Sequence, residues 1–170
     1  MKIAFLGDSL TEGFPGVSYF DMLVEQVSNH TLHNLGKGGD TVKSLHKRIS
    51  KLDLTQYDVL ILFIGVNDVF GKINRSHKLL RALQGQSPSK SKDSFIIEYK
   101  ELMEYLLQFQ KKLIVLPPLL LGEEIDSQWN SLLREYEVEI ELIVKNFGVP
   151  YLDVQRKMYD FLQDKQQSSY

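Results

Sequence analysis

Cysteine is absent from the 170 residues, which excludes disulfides, thiolate nucleophiles and cysteine-liganded zinc together. Long apolar runs are absent too. None approaches the ~20 residues that a bilayer span requires, and the amino terminus offers one lysine and then only Ile3-Ala4-Phe5-Leu6 before a polar turn, too short for a secretory core. These absences lead to the expectation of a cytoplasmic protein with no membrane partner. Positive charge is not in excess: 20 Lys and Arg against 22 Asp and Glu leave a formal charge of -2, so no basic stripe marks a nucleic-acid footprint. Repeats and interdomain linkers are missing as well. With 43% hydrophobic residues the chain is long enough to bury a core, and residues 1–170 read as one domain.

What the chain does have is a series of short apolar runs, each breaking into a polar turn. Ile3 to Leu6 shows no polar alternation, which suits a strand buried on both faces, and Gly7-Asp8-Ser9 follows at once. Ser9 then stands past the carboxyl end of a buried strand, where it is either a helix N-cap or an activated nucleophile. Thr31 to Leu35 reads as a second strand and ends in Gly36-Lys37-Gly38-Gly39-Asp40-Thr41. Glycines so closely spaced require a tight turn or a close approach, although the spacing is not that of a Walker or dinucleotide loop. Tyr57 to Ile64 is a continuous apolar strand ending in Gly65-Val66-Asn67-Asp68, Lys112 to Leu116 a fourth stopped by Pro117-Pro118, and Val149 to Val154 a fifth.

Helical spacing fills the intervals: Val17 to Val27, Val42 to about Leu54, Asp93 to Phe109, a long helix capped by Asp126 or Ser127 and running to Phe147, and a short one around Met158, Phe161 and Leu162. Ile73 to Leu83 is weakly amphipathic. Gln84 to Lys92 is a polar loop without periodicity, read either as a lid or as a surface excursion. Five strands alternating with helices predict an α/β fold: a three-layer, doubly wound, parallel five-stranded sheet in the flavodoxin-like order 2-1-3-4-5. That order brings Ser9, the Gly39 loop and Asn67 to one crevice at the topological switch point. Asn67 is otherwise a turn-forming Asx residue, and Asp8 and Asp68 are expected to brace loop amides rather than to act as acid or base.

Gly7-Asp8-Ser9-Leu10, Gly38-Gly39-Asp40-Thr41 and Gly65-Val66-Asn67-Asp68, each after a strand and in that order, resemble the first three sequence blocks of the GDSL or SGNH esterase and lipase family. The resemblance implies the SGNH hydrolase fold. It also implies that Ser9 is the nucleophile, and that the backbone N–H of Gly39, the side-chain amide of Asn67 and the N–H of Ser9 form the oxyanion hole. The implied activity is hydrolysis of small acyl or acetyl esters through an acyl-serine intermediate, with a small-molecule ester as partner and neither cofactor nor metal. Acyl transfer needs preorganised donors aimed at the developing oxyanion, and these residue types supply them.

The chain departs from the family pattern at its far end. The remaining catalytic block, an Asp-x-x-His after the last strand, does not occur, and the histidines present are His30, His33, His46 and His77. Without an imidazole a serine hydroxyl is a poor nucleophile. His30, His33 and His46 read as structural or solvated, and His77 lies on a stretch beyond Asn67. The expectation is therefore that the final catalytic loop and helix are missing from this chain. Sheet surface left uncovered by them predicts self-association into a homo-oligomer or reduced stability. The competing reading is a non-catalytic domain that binds an ester or carbohydrate in a retained oxyanion pocket.

Overall fold

The computed structural model describes residues 1–14, 16–73, 75–122 and 124–167, without the side chains of Ile73, Arg75, His77 and Lys78 or of residues 165–167. Four strands, β1 (Lys2–Gly7), β2 (Thr31–Gly36), β3 (Val59–Phe63) and β4 (Lys112–Leu116), form a parallel sheet in the order β2-β1-β3-β4. Register aligns Ala4 with Leu60 and Leu60 with Leu113, then Leu6 with Leu62 and Leu62 with Val115. All six side chains are buried on one face. They pack with residues of α3 (Val42–Ile49), α6 (Lys92–Leu107) and α7 (Gln128–Asn146) into the main core.

The opposite face takes Phe5 and Phe63, which meet the aromatic start of α2 (Tyr19–Gln26): Phe5 and Phe20 lie edge to face with centroids 5.2 Å apart, and Tyr19 and Phe63 at 5.9 Å. Helices thus cover both faces, giving the three layers expected. Cover is thinner on this second face, where Ile3, Ile61 and Ile114 are only half-buried.

The fifth strand is reduced to a single bridge. Val115 donates to Pro150 O at 3.0 Å and accepts from Leu152 N at 2.9 Å, which seats Tyr151 beside β4 in the fifth place of the order. A ladder does not extend from it, because Pro150 has no N–H and the chain turns into α8 (Val154–Gln167) almost at once, with Asp153 Oδ1 accepting from Arg156 N. That last helix is much longer than its three apolar residues suggested. The weak 73–83 stretch divides into α4 (Val66–Ile73), which starts at the third strand's end, and α5 (Arg75–Leu83).

Polar 84–92, read from sequence as a lid or a surface excursion, is pinned. Gln86, Pro88 and Ser89 are buried, Gln86 Nε2 donates to Gly38 O and Asp40 Oδ1 at 3.0 and 3.1 Å, and Ser89 donates its N–H and hydroxyl to Asp68 Oδ1 at 3.0 and 2.8 Å. Lys72 Nζ reaches Ser89 O from α4. Buried polar atoms here are matched by partners from other segments, which is what fixes a loop that has no periodicity of its own.

Two buried carboxylates brace the strand ends. Asp8 caps α1 (Ser9–Glu12) by accepting from Leu10 N at 3.0 Å, and Asp68 Oδ2 accepts from Val42 N at 2.9 Å at the start of α3. Burial pushes Asp8 up to about 7, helped by the nearby charges of Asp40 and Asp68, and pushes Asp68 up to about 6. The Ser89 hydroxyl also lies 2.6 Å from Glu98 Oε2. One hydroxyl hydrogen cannot serve both carboxylates, so that contact is complete only where one of them carries a proton.

A carboxyl raised in the folded state favours folding while it is protonated, and that contribution is lost as pH rises from the unfolded value through the folded one. Asp8→Asn keeps an acceptor for Leu10 N but cannot ionise. Urea midpoints at about pH 4.5 and about pH 7.5 should therefore differ less for this variant than for the wild type; an unchanged difference would contradict the burial effect. A second expectation concerns Gly7, where an added Cβ would stand 2.1 Å from Thr11 Oγ1 and 2.5 Å from Phe63 O. Gly7→Ala should lower stability by ~1–3 kcal/mol in urea unfolding, because backbone of β3 must give way.

Candidate active site

Parallel strands leave their carboxyl ends uncovered, and three strand-end turns meet there. The first carries Ser9 in the opening turn of α1. Asp8, not Ser9, is that helix's cap, so the Ser9 side chain is not spent on capping. Among the described residues its hydroxyl has no hydrogen-bond partner, and Ser9 is half-buried at the mouth of the sheet. Three bonds dock the first turn onto the second, Lys37 N donating to Gly7 O at 3.0 Å, Gly38 N to Glu12 Oε2 at 2.7 Å and Asn34 Nδ2 to Thr11 O at 2.7 Å, while Asn34 Oδ1 accepts from Gly36 N at 2.9 Å within the second. The approach is close enough that a side-chain carbon on Gly38 would stand 3.8 Å from Ser9 Cβ.

The third turn is tied to the second by Asn67. Its Nδ2 donates to Asp40 O at 2.9 Å, which uses one amide hydrogen and leaves the other free for a ligand. Ser9 and Asn67 line one recess of about 210 Å³ together with Leu10, Val66, Phe70, Leu121 and Arg81. Gly39 is not in its wall. It is buried at φ +80, and the Arg81 guanidinium lies over its α-carbon, where a Cβ would meet Nη1 at 1.6 Å. Only glycine satisfies both the left-handed backbone and that overlap.

Asp40, one residue on, is fully paired. Arg48 Nε and Nη2 both contact its Oδ2 at 2.8 Å, Ser44 Oγ donates to Oδ1 at 2.9 Å, and Gln86 adds its amide. Asp8 and Asp68 do brace amides, as their positions suggested. The histidines lie elsewhere: His33 Nδ1 is 3.1 Å from the Tyr57 hydroxyl, His46 packs against Tyr105, and His30 Nδ1 sits 2.6 Å from Asn29 O. The His77 side chain is outside the described residues. No described carboxylate or imidazole bonds Ser9 Oγ, and among the described residues no group of three or more histidines and carboxylates is placed to hold a metal ion.

Arg81, Gln86 and Ser89 are the site residues that pattern reading missed. Gln86-Ser87-Pro88-Ser89 has the composition of a solvated loop, and Arg81 sits in a helix with little amphipathic signal. Their only trace in the sequence is the Gly39 position that Arg81 overlies, a glycine beside a glycine with no turn type to demand both.

The arrangement gathers a hydroxyl and an amide donor at the end of a parallel sheet, which suits attack on an acyl carbon. Among solved structures, the fold is shared with the acetyl xylan esterase AlAXEase, at 23% identity over 99% of this chain and 83% of that one, TM-score 0.77. It is shared also with LAE5, an alpha/beta hydrolase enzyme from the metagenome of Lake Arreo, Spain (20% identity, 95% and 80% coverage, TM-score 0.76), and with Axe2, an acetylxylan esterase from Geobacillus stearothermophilus (19%, 95% and 80%, TM-score 0.73). Two further structures are catalytic mutants of Axe2, one altered at an aspartate and one at a histidine. No curated protein matches the chain by sequence. Residues 5–170 match the profile of the GDSL-like lipase/acylhydrolase family. With that match running across nearly the whole sequence and the SGNH fold beneath it, the chain belongs to the GDSL-like lipase/acylhydrolase family, hydrolases acting on ester bonds.

Proposed function

We infer that Ser9 is the nucleophile of an esterase that cleaves small acyl or acetyl esters through an acyl-serine intermediate. The observation that carries this reading is the shared recess: the unpartnered Ser9 hydroxyl and the Asn67 amide face the same small space. Ser9 Oγ adds to the ester carbonyl carbon, its proton passes to a base, and the carbonyl oxygen takes the negative charge opposite Asn67 Nδ2 and the Ser9 N–H. Collapse of that intermediate expels the alcohol, and water then releases the acid by the same route. Leu10, Val66, Phe70 and Leu121 give the recess an apolar side fitted to a short acyl group.

Gly39 serves this chemistry by position. Its N–H belongs to a turn held on both sides, by Gln86 on Gly38 O and by Asn67 on Asp40 O, so little reorganisation is needed as charge develops. Asn67 is better suited than an acid or a lysine, because a neutral amide donates without changing protonation state.

Among the described residues no base bonds Ser9 Oγ. No Asp-x-x-His occurs in the 170 residues, and this observation favours the second reading, a domain that holds an ester or its carboxylate product without turnover. Reaction with 4-nitrophenyl acetate, followed by intact mass, separates the two. The esterase reading expects a Ser9-linked acetyl group, absent from Ser9→Ala, and a rate that falls ~10²–10³-fold in Asn67→Ala. Equal behaviour of the wild type and Ser9→Ala would leave the binding domain as the answer.

A further inference from the structure

The Ser9 recess has an apolar side and carries Arg81, and a second recess, rich in lysine, lies by the Gly38-Gly39-Asp40 turn. Arg81 lines the recess with Ser9 and Asn67, and its Nη1 is 3.0 Å from Gln84 Oε1. Gln84, Gly85 and Gln86 form one wall of this second recess on the other flank of the turn, whose remaining lining is Lys37, Lys47, Arg48, Lys51, Ser44 and Asp40, the last neutralised by Arg48. Arg48 is consumed by Asp40. Lys37, Lys47 and Lys51 are exposed and form no ion pair with a described residue.

These cations converge from separate parts of the chain. Lys47 stands in the last turn of α3, where the helix dipole alone would favour it. That account does not cover Lys37, which follows the end of β2, or Lys51, which lies past the helix, or Arg81 on α5. A protein of formal charge -2 has nonetheless placed three lysines, unpaired among the described residues and from separate parts of the chain, around one recess beside the turn that carries Gly39. A cleft lined by one sign of charge raises the local concentration of the opposite one, and Arg and Lys are the side chains that recognise carboxylate and phosphate oxygens.

We propose that the alcohol part of the ester carries negative charge: with the acyl group on the Leu10, Val66, Phe70 and Leu121 side, carboxylate or phosphate groups of the alcohol extend past the Gly38-Gly39-Asp40 turn to Lys37, Lys47 and Lys51. This rests on the acylhydrolase reading for what is bound, and it adds the class of alcohol. Recognition requires only these lysines, so it can be measured without turnover.

The test is equilibrium binding to the 170-residue chain and to Ser9→Ala, read by amide chemical shifts, with trigalacturonate, inorganic phosphate and neutral xylotriose as probes. Trigalacturonate or phosphate should bind at least tenfold more tightly than xylotriose, weaken as sodium chloride is raised, and shift the amides of Gly38, Lys51 and Gln86; which of the two binds better tells carboxylate from phosphate. The combined variant Lys37→Gln, Lys47→Gln, Lys51→Gln should lose at least tenfold in that affinity. Lys100→Gln, Lys112→Gln, Lys157→Gln, equal in net charge and lining neither recess, should not, and thermal melts of both variants report that they fold. Equal binding of xylotriose and the anions, or equal losses in the two lysine variants, would overturn the proposal. Anion binding retained in a chain whose Ser9 never acylates would sustain it while removing the hydrolase reading, and acylation without anion preference would do the reverse.

Discussion

The structure depends on the Asp68 carboxylate, buried just past the carboxyl end of β3. One oxygen holds the first amide of α3 and the other holds Ser89. Through these two contacts a single side chain fixes the second strand-end turn from below and anchors the 84–92 segment from the side. Asn67, its neighbour, completes the clamp by bonding Asp40 O. Remove that carboxylate and two buried backbone amides, Val42 N–H and Ser89 N–H, lose their acceptor, each left with a desolvation cost of about 1–3 kcal/mol, while the Ser89 hydroxyl keeps Glu98. The positions of Arg81 and Gln86 over Gly39 follow from the anchored segment, so the shape of the recess traces back to this one group.

A parallel sheet explains why such braces are needed at all. Its faces are covered by helices and its strand ends are not, so the turns at those ends have polar backbone with no ladder to join. Here they are satisfied by one another: Gly7 O by Lys37, Thr11 O by Asn34, Gly38 O by Gln86, Asp40 O by Asn67. Every bond runs between turns that are distant in sequence. The set is therefore assembled only in the folded chain, and it orders reactive groups as a by-product of satisfying buried backbone.

This also accounts for what pattern reading could and could not reach. Strands β1 and β3 announce themselves because both faces of a central parallel strand must be apolar, and Gly7, Gly39 and Asn67 because tight turns restrict residue type. Right-handed crossovers limit the orders the sheet can take, and the flavodoxin-like one is among them. Val149 to Val154 looked like a fifth strand because its apolar residues fit one, yet Pro150 removes a donor and Asp153 starts a helix, and pairing stops at one bridge. Gln86 and Ser89 were illegible for a different reason. Their burial is decided by partners 46 and 21 residues away in sequence, and nothing local distinguishes a pinned polar loop from a solvated one.

Electrostatics near the recess sets a last constraint. An oxyanion forming beside Ser9 would face Asp8, Asp40 and Asp68, three buried carboxylates whose mutual repulsion is already visible at Asp8. Left bare, they would oppose the charge that acyl transfer develops. Each is offset differently: Asp40 by the Arg48 pair, Asp68 by two amides and a hydroxyl, Asp8 by an amide and by an affinity for its proton that extends to about 7. Arg81 adds a positive charge over Gly39 and lines the recess with Ser9. Acids chosen for their capacity to brace turns are thus compatible with anionic chemistry only because cations and protons have been built in beside them.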